Sequence, residues 1–172
     1  MTETDPKIKV AVVQAAPVLF NREATIEKTY DLINQIAGQE AQLILFPEAF
    51  IPAYPRGLAF GTVVGSRSPL GRRVWQRYWE NTVEVPGPST AALGAAAKKA
   101  NAYLAIGVIE RDAQRNNSTL YCTLLYFGPD GRLLGKHQKL KPTGGERLIW
   151  GEGDGSTLTA IRTEIGIIGG LI

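Results

Sequence analysis

Residues 41–50 read AQLILFPEAF, and the fold turns on how they are read. Leu43, Ile44, Leu45 and Phe46 form an unbroken apolar run without alternation, the signature of a strand buried on both faces. Towards the N-terminus, residues 24–38 (ATIEKTYDLINQIAG) carry Ile26, Tyr30, Ile33 and Ile36 near helical spacing, and Gly38 stands past the end as a C-cap. Before that helix, residues 8–14 (IKVAVVQ) are rich in β-branched side chains and predict a second short strand. Strand, helix and strand in this order specify a βαβ unit with a right-handed crossover.

The C-terminal direction continues the α/β pattern. Residues 47–61 (PEAFIPAYPRGLAFG) are too broken for a helix and predict a long structured loop at the end of a buried strand, where function concentrates. A helix is expected over 70–83 (LGRRVWQRYWENTV) and a second over 86–101, N-capped by Ser89 or Thr90. Residues 102–111 predict a strand. Residues 118–139 predict a hairpin turned by Pro129, Asp130 and Gly131. Two more strands flank Thr163 and Glu164. The run Ile165–Ile172 holds five large apolar residues and three glycines, which predicts a buried strand of a mixed or parallel sheet. The whole is read as a single domain, 1–172, left open at its C-terminal side.

Composition narrows the function classes. Hydrophobic residues make up 44% and charged residues 20%, values of a globular protein in water. No run reaches the roughly 20 apolar residues of a membrane helix. The first ten residues lack a signal-type apolar core, and the single cysteine, Cys122, fits a reducing compartment, so a cytoplasmic location is expected. The pI is near 9.1, but the net charge is only +3 and the basic residues are mixed with acids. The densest basic stretch, residues 135–147 (GKHQKLKPTGGER), lacks interleaved aromatics, so it reads as solvated surface rather than a nucleic-acid site.

Several chemistries fail on spacing. GRLLGKH is too short between glycines for a phosphate loop, and GEGDGS does not follow a strand, so no nucleotide cofactor is expected. One histidine, His137, without clustered ligands makes a metal site improbable; it reads as a surface or hydrogen-bonded residue. Glu48 stands at the rim of a core strand, where desolvation favours a general base, or else it is an exposed loop acid. Lys139 competes with Lys136 and Lys141 for any role. Glu146 could equally be a surface acid paired with Arg147. Cys122, inside a strand, reads as a small buried hydrophobe rather than a nucleophile.

Three blocks in order resemble the nitrilase superfamily of carbon–nitrogen hydrolases. LILFPEAFIPAYPRGLAFG (43–61) is similar to its glutamate motif. GKHQKLKPTGGERLIWGEGDGS (135–156) is similar to its lysine motif, and GIIGGLI (166–172) to the strand that leads into its cysteine motif. AYPRG and ERLIWGEGDGS lean towards true nitrilases rather than amidases or carbamoylases. The resemblance implies an α/β fold forming the first half of an α-β-β-α sandwich. It implies Glu48 as general base, Lys139 as stabiliser of negative charge, Glu146 as its orienting acid, and a nucleophilic cysteine immediately after Ile172. Tyr54 and Phe60 would line the pocket for a nitrile substrate. No cofactor or metal is implied. A homo-oligomer is, dimeric or larger and in some cases spiral. The expected rivals are an amidase or hydratase activity at the same site and a non-catalytic assembly subunit. The residues 1–172 alone are expected to be inactive.

Overall fold

A computed structural model describes residues 7–112 and 119–172. Met1–Pro6 and the predicted first residue of the hairpin, Ser118, lie outside the described residues. In chain order the elements are β1 (Val10–Val12), α1 (Arg22–Ala37), β2 (Leu43–Leu45), β3 (Thr62–Val63), β4 (Ser66–Arg67), α2 (Pro69–Glu80), β5 (Val83–Glu84), α3 (Pro88–Ala100), β6 (Tyr103–Arg111), β7 (Leu120–Phe127), β8 (Leu133–Gln138), β9 (Ala160–Thr163) and β10 (Gly166–Gly169).

The expected βαβ unit is present: β1 and β2 pair in parallel with α1 between them, and β2 pairs in parallel with β6. The sheet runs β1-β2-β6-β7-β8 and becomes antiparallel at β6–β7 and β7–β8. One face is covered by helices. Ile33 of α1 and Leu93, Ala96 and Ala97 of α3 pack on Ile44, Leu104, Ile106, Val108, Leu125 and Phe127. Burying such side chains contributes about 1.5–3 kcal/mol each, so this layer holds the sheet in place.

Local readings needed adjustment where polar groups found partners inside. The buried stripe of α1 is Thr25, Thr29 and Ile33, while Tyr30 is largely exposed. Both threonines bury their hydroxyls by bonding backbone carbonyls: Thr25 Oγ1 donates to Asn21 O at 2.7 Å, and Thr29 Oγ1 to Thr25 O at 2.7 Å. Gly38 does cap α1, but in right-handed conformation. The cap of α3 is Gly87; Thr90 sits at the third helical position and its hydroxyl accepts from Gly87 N at 2.9 Å. Helix α2 stops at Glu80, because Val83–Glu84 leave it to pair with β6.

The C-terminal run departs from expectation. Residues 166–169 do not join the main sheet. They pair antiparallel with β9 as a separate hairpin, and Ile167 is 64% exposed. The hairpin lies over the sheet face opposite the helices: a Cβ on Gly170 would meet Tyr126 and Leu124, and one on Gly135 would meet Thr159. The alternation of glycine with isoleucine suits this close backbone approach as well as it suits burial inside a sheet.

Candidate active site

Glu48 is set by an irregularity beside β6. Residues 46–51 run along the β6 edge between β2 and β5: Phe46 N bonds Ala105 O, Gly107 N bonds Pro47 O, and Phe50 N bonds Gly107 O. Pro47 to Phe50 therefore loop out opposite one residue, Gly107, and Ala49 adopts φ +49°. Only glycine fits below this loop. A Cβ at 107 would lie 2.4 Å from Pro47 O and 2.7 Å from Glu48 Cα. The bulge aims the Glu48 carboxylate over the face of the sheet away from the helices.

Lys139 arrives on that same face. Lys139 N donates to Cys122 O at 2.8 Å, which extends the β7–β8 ladder by one pair. Side chains alternate across a sheet, so Cys122 and Lys139 point to the Glu48 side, while Lys136 and Gln138 point to the helix side. Lys139 Nζ lies 2.8 Å from Glu48 Oε1 and 2.9 Å from Glu146 Oε2. Lys139 is only 7% exposed. Burial works against its charge, but the hydrogen bonds it donates to both carboxylates outweigh that and hold Lys139 above the usual lysine range.

Glu146 sits in a single 3-10 turn, Gly144–Leu148. Its Oε2 also accepts from Thr143 N at 2.6 Å, and its Oε1 accepts from the Tyr54 hydroxyl at 2.7 Å. Burial alone would raise its pKa; the Thr143 amide, Lys139 and Tyr54 together hold it below the usual carboxylate range. The alternative pairing with Arg147 is not made: Arg147 Nε donates to Pro142 O. Glu48 is the more open acid, with its side chain 38% exposed.

Two hollows meet at Glu48. A cleft of about 1090 Å³ is lined by Glu48, Tyr54, Arg56, Leu58, Glu146 and Ile149, among others. A trough of about 560 Å³ on the opposite side is lined by Glu48, Val12, Leu45, Leu124, Leu171 and Ile172. Ile172 also packs against the cluster holding Cys122, Ala49 and Trp150. Glu48, Lys139, Glu146 and the Ile172 end of the chain therefore converge on one spot, although 91 residues separate the first two.

The geometry agrees with a match along the sequence: the carbon–nitrogen hydrolase family model aligns with residues 9–172. This chain belongs to the carbon–nitrogen hydrolase family. It is similar to an aliphatic nitrilase of Sinorhizobium fredii (strain HH103), 53% identical over 166 residues, which cover 96% of this chain and 52% of that one. It is similar to Nitrilase 1 of Arabidopsis thaliana, 45% identical over 165 residues, 96% of this chain and 46% of that one. The chain thus spans about half the length of these curated relatives. Its fold matches Saccharomyces cerevisiae Nit3, a nitrilase superfamily member, with a TM-score of 0.69 at 24% identity, over 94% of this chain and 54% of that chain. The α/β architecture is therefore that of nitrilase superfamily structures.

Around the Lys139 cluster, three neighbours had no polar role in the sequence reading. The Cys122 thiol faces Glu48 Oε1 at 3.5 Å; burial, then the Glu48 charge, push it far above the usual thiol range, so it stays protonated and donates. Trp150 lies under the Lys139 ammonium, 5.9 Å from its ring centre, and is pinned by an Nε1 bond to Tyr78 OH at 3.2 Å. Thr143 supplies its backbone amide. The strand alternation of Cys122 with Lys139 was the available signal for the first; a backbone donor leaves none. Phe60 is a core residue packed on Trp75 and Tyr78, away from the Glu48 cleft. His137 is buried rather than at the surface, and neither ring nitrogen has a protein partner among the described residues.

Proposed function

We propose that the full-length protein hydrolyses a nitrile to a carboxylic acid and ammonia through a cysteine thioester, with Glu48, Lys139 and Glu146 as the catalytic polar groups. The observation that carries this reading is the Lys139 ammonium, buried and bridged between two carboxylates at the base of a cleft. The nucleophile in this reading is a cysteine following Ile172, outside the present sequence.

The division of the Glu48 carboxylate supports a base. Its Oε1 accepts from both Lys139 and Cys122. Oε2 has no donor given to it by the described residues, which leaves it as the atom to take the thiol proton. Attack forms the carbon–sulfur bond and moves a π-electron pair onto the nitrile nitrogen. That nitrogen receives the proton from Glu48, and the developing charge is met by the Lys139 ammonium in a water-poor setting where a fixed cation is worth most. Water, activated by Glu48, adds to the thioimidate. Ammonia leaves, and a second water releases the acid from the thioester. Glu146, held ionised by three donors, keeps Lys139 charged and aimed. Every proton in the cycle is carried by these side chains and water.

Homo-oligomeric assembly and a reducing, cytoplasmic setting for the thiol belong to the same proposal. Among the described residues no helix is long and apolar enough to cross a membrane. The test is product analysis of the full-length protein on aliphatic, aromatic and arylacetonitriles. Acid and ammonia in equal amounts are expected. Amide as the main product would shift the reading to a hydratase. Turnover of amides but no nitriles would overturn it for an amidase, and no turnover by a folded protein would favour a non-catalytic subunit.

A further inference from the structure

The loop that lines the cleft is tied directly to the buried charge cluster, at Tyr54. Tyr54 lines the cleft and is 42% exposed. Its hydroxyl turns inward and donates to Glu146 Oε1 at 2.7 Å. The ring also meets Trp150 edge-on, 5.5 Å between centres, and Trp150 lies beneath Lys139. The sequence reading assigned Tyr54 to the pocket wall alone.

We propose that Tyr54 is a positioning residue, whose hydroxyl holds the Glu146 carboxylate fixed against Lys139 while its ring forms the cleft wall. The assignment rests on the nitrile-hydrolysis reading for its catalytic consequence, but the Tyr54–Glu146 link stands on geometry alone. The acceptor count makes the case. Glu146 Oε2 is occupied by Lys139 and Thr143 N. Oε1 has Tyr54 as its one donor given by the described residues. Without the hydroxyl, Oε1 turns to the cleft with no protein donor, and the carboxylate gains freedom to rotate away from Lys139. Tyrosine suits the task because the same link works in reverse. The Glu146 bond, first of all, and burial hold the phenol above its usual range, so it remains a donor at any pH the protein meets. Substrate pressed on the ring would thus bear on the carboxylate that orients the ammonium.

The experiment is Tyr54→Phe in the full-length protein, which keeps the ring and removes the donor. Two readouts separate positioning from lining. In steady-state kinetics, kcat is expected to fall about tenfold with KM within about twofold, since the lost interaction acts on charge stabilisation rather than on substrate contact. In thermal unfolding across pH 3–7, the sign follows from linkage. The Glu146 pKa is depressed in the folded state, so its stabilisation is present above the unfolded value and is lost as pH falls through the folded one. Removing a donor raises the folded value and leaves the unfolded one unchanged, so the acid-side loss of Tm in Tyr54→Phe is expected to be smaller and to end at a higher pH than in wild type. Glu146→Gln removes the titration and should abolish the difference between Tyr and Phe at position 54. A raised KM with unchanged kcat and an unmoved pH–Tm curve would overturn the proposal and leave Tyr54 a wall residue. If wild type turns over no nitrile, the function fails, yet the pH–Tm comparison still decides the Tyr54–Glu146 link.

Discussion

Strands β7 and β8 carry a buried lysine–carboxylate cluster on each face, and the two have opposite characters. On the helix side, Glu110 is almost wholly buried and accepts from Thr123 Oγ1 at 2.8 Å, from Gln138 Nε2 at 3.0 Å and from Lys136 Nζ. Both of its oxygens are engaged, and it borders neither the Glu48 cleft nor the trough beside it. On the other side, Lys139 joins Glu48 and Glu146, Glu48 is partly open, and its Oε2 has no donor among the described residues. A buried ion pair is therefore no sign of chemistry by itself. What distinguishes the two is a free lone pair beside a hollow.

The comparison breaks most sharply at the open cluster. Glu48→Gln keeps a polar side chain of equal size, so the fold should survive while the base is lost. Turnover is expected to drop by about a hundredfold to ten-thousandfold. Lys139→Ala should lose a similar factor, with two carboxylates left facing each other. Steady-state rates and circular dichroism of the full-length variants check both. A Glu48→Gln enzyme with undiminished kcat would remove the base from the mechanism.

The closed cluster should respond in stability instead. Glu110→Ala strands Lys136, Gln138 and Thr123 without their shared acceptor, and a loss of about 2–4 kcal/mol is expected from denaturant unfolding. The folded fraction should keep its rate within about twofold. Replacing both partners by methionine should recover most of the loss, because two apolar side chains of similar size remove the unpaired groups. Failure of that recovery would mean that the charges themselves specify the packing of β7 on β8.

How much of this was legible beforehand depends on the kind of signal. The βαβ unit rests on long apolar runs and a helical repeat, which residues 8–46 display openly. The site residues rest on the resemblance of three motifs in order, and the fold brings Glu48, Lys139 and Glu146 into contact. What one dimension hid was orientation. Lys136 and Lys139 are three apart in a basic stretch that reads as solvated surface, yet alternation sends them through opposite faces of a sheet into buried pairs. The exposed Ile167 was hidden for a related reason: composition marks a strand as apolar but not which sheet it joins, and β10 pairs only with β9. Val83 reads as the last residue of a helix because a two-residue strand carries almost no periodicity.

The third lysine of the stretch supplies the smallest effect and the control for the rest. Lys141 pairs with Glu152, but both side chains are mostly exposed, at 71% and 50%. Water solvates each partner nearly as well apart as together, and ordering two long side chains offsets much of the attraction. Lys141→Ala is therefore expected to leave stability almost unchanged and to change kcat by less than about twofold. The Lys141 hydrogen bond first, then its charge and that of Arg147, place Glu152 below the usual carboxylate range. Its release should move no catalytic titration, since neither residue reaches Glu48 or Glu146. A Lys141→Ala enzyme as impaired as Lys139→Ala would mean that the cation at the reacting nitrogen had been assigned to the wrong lysine.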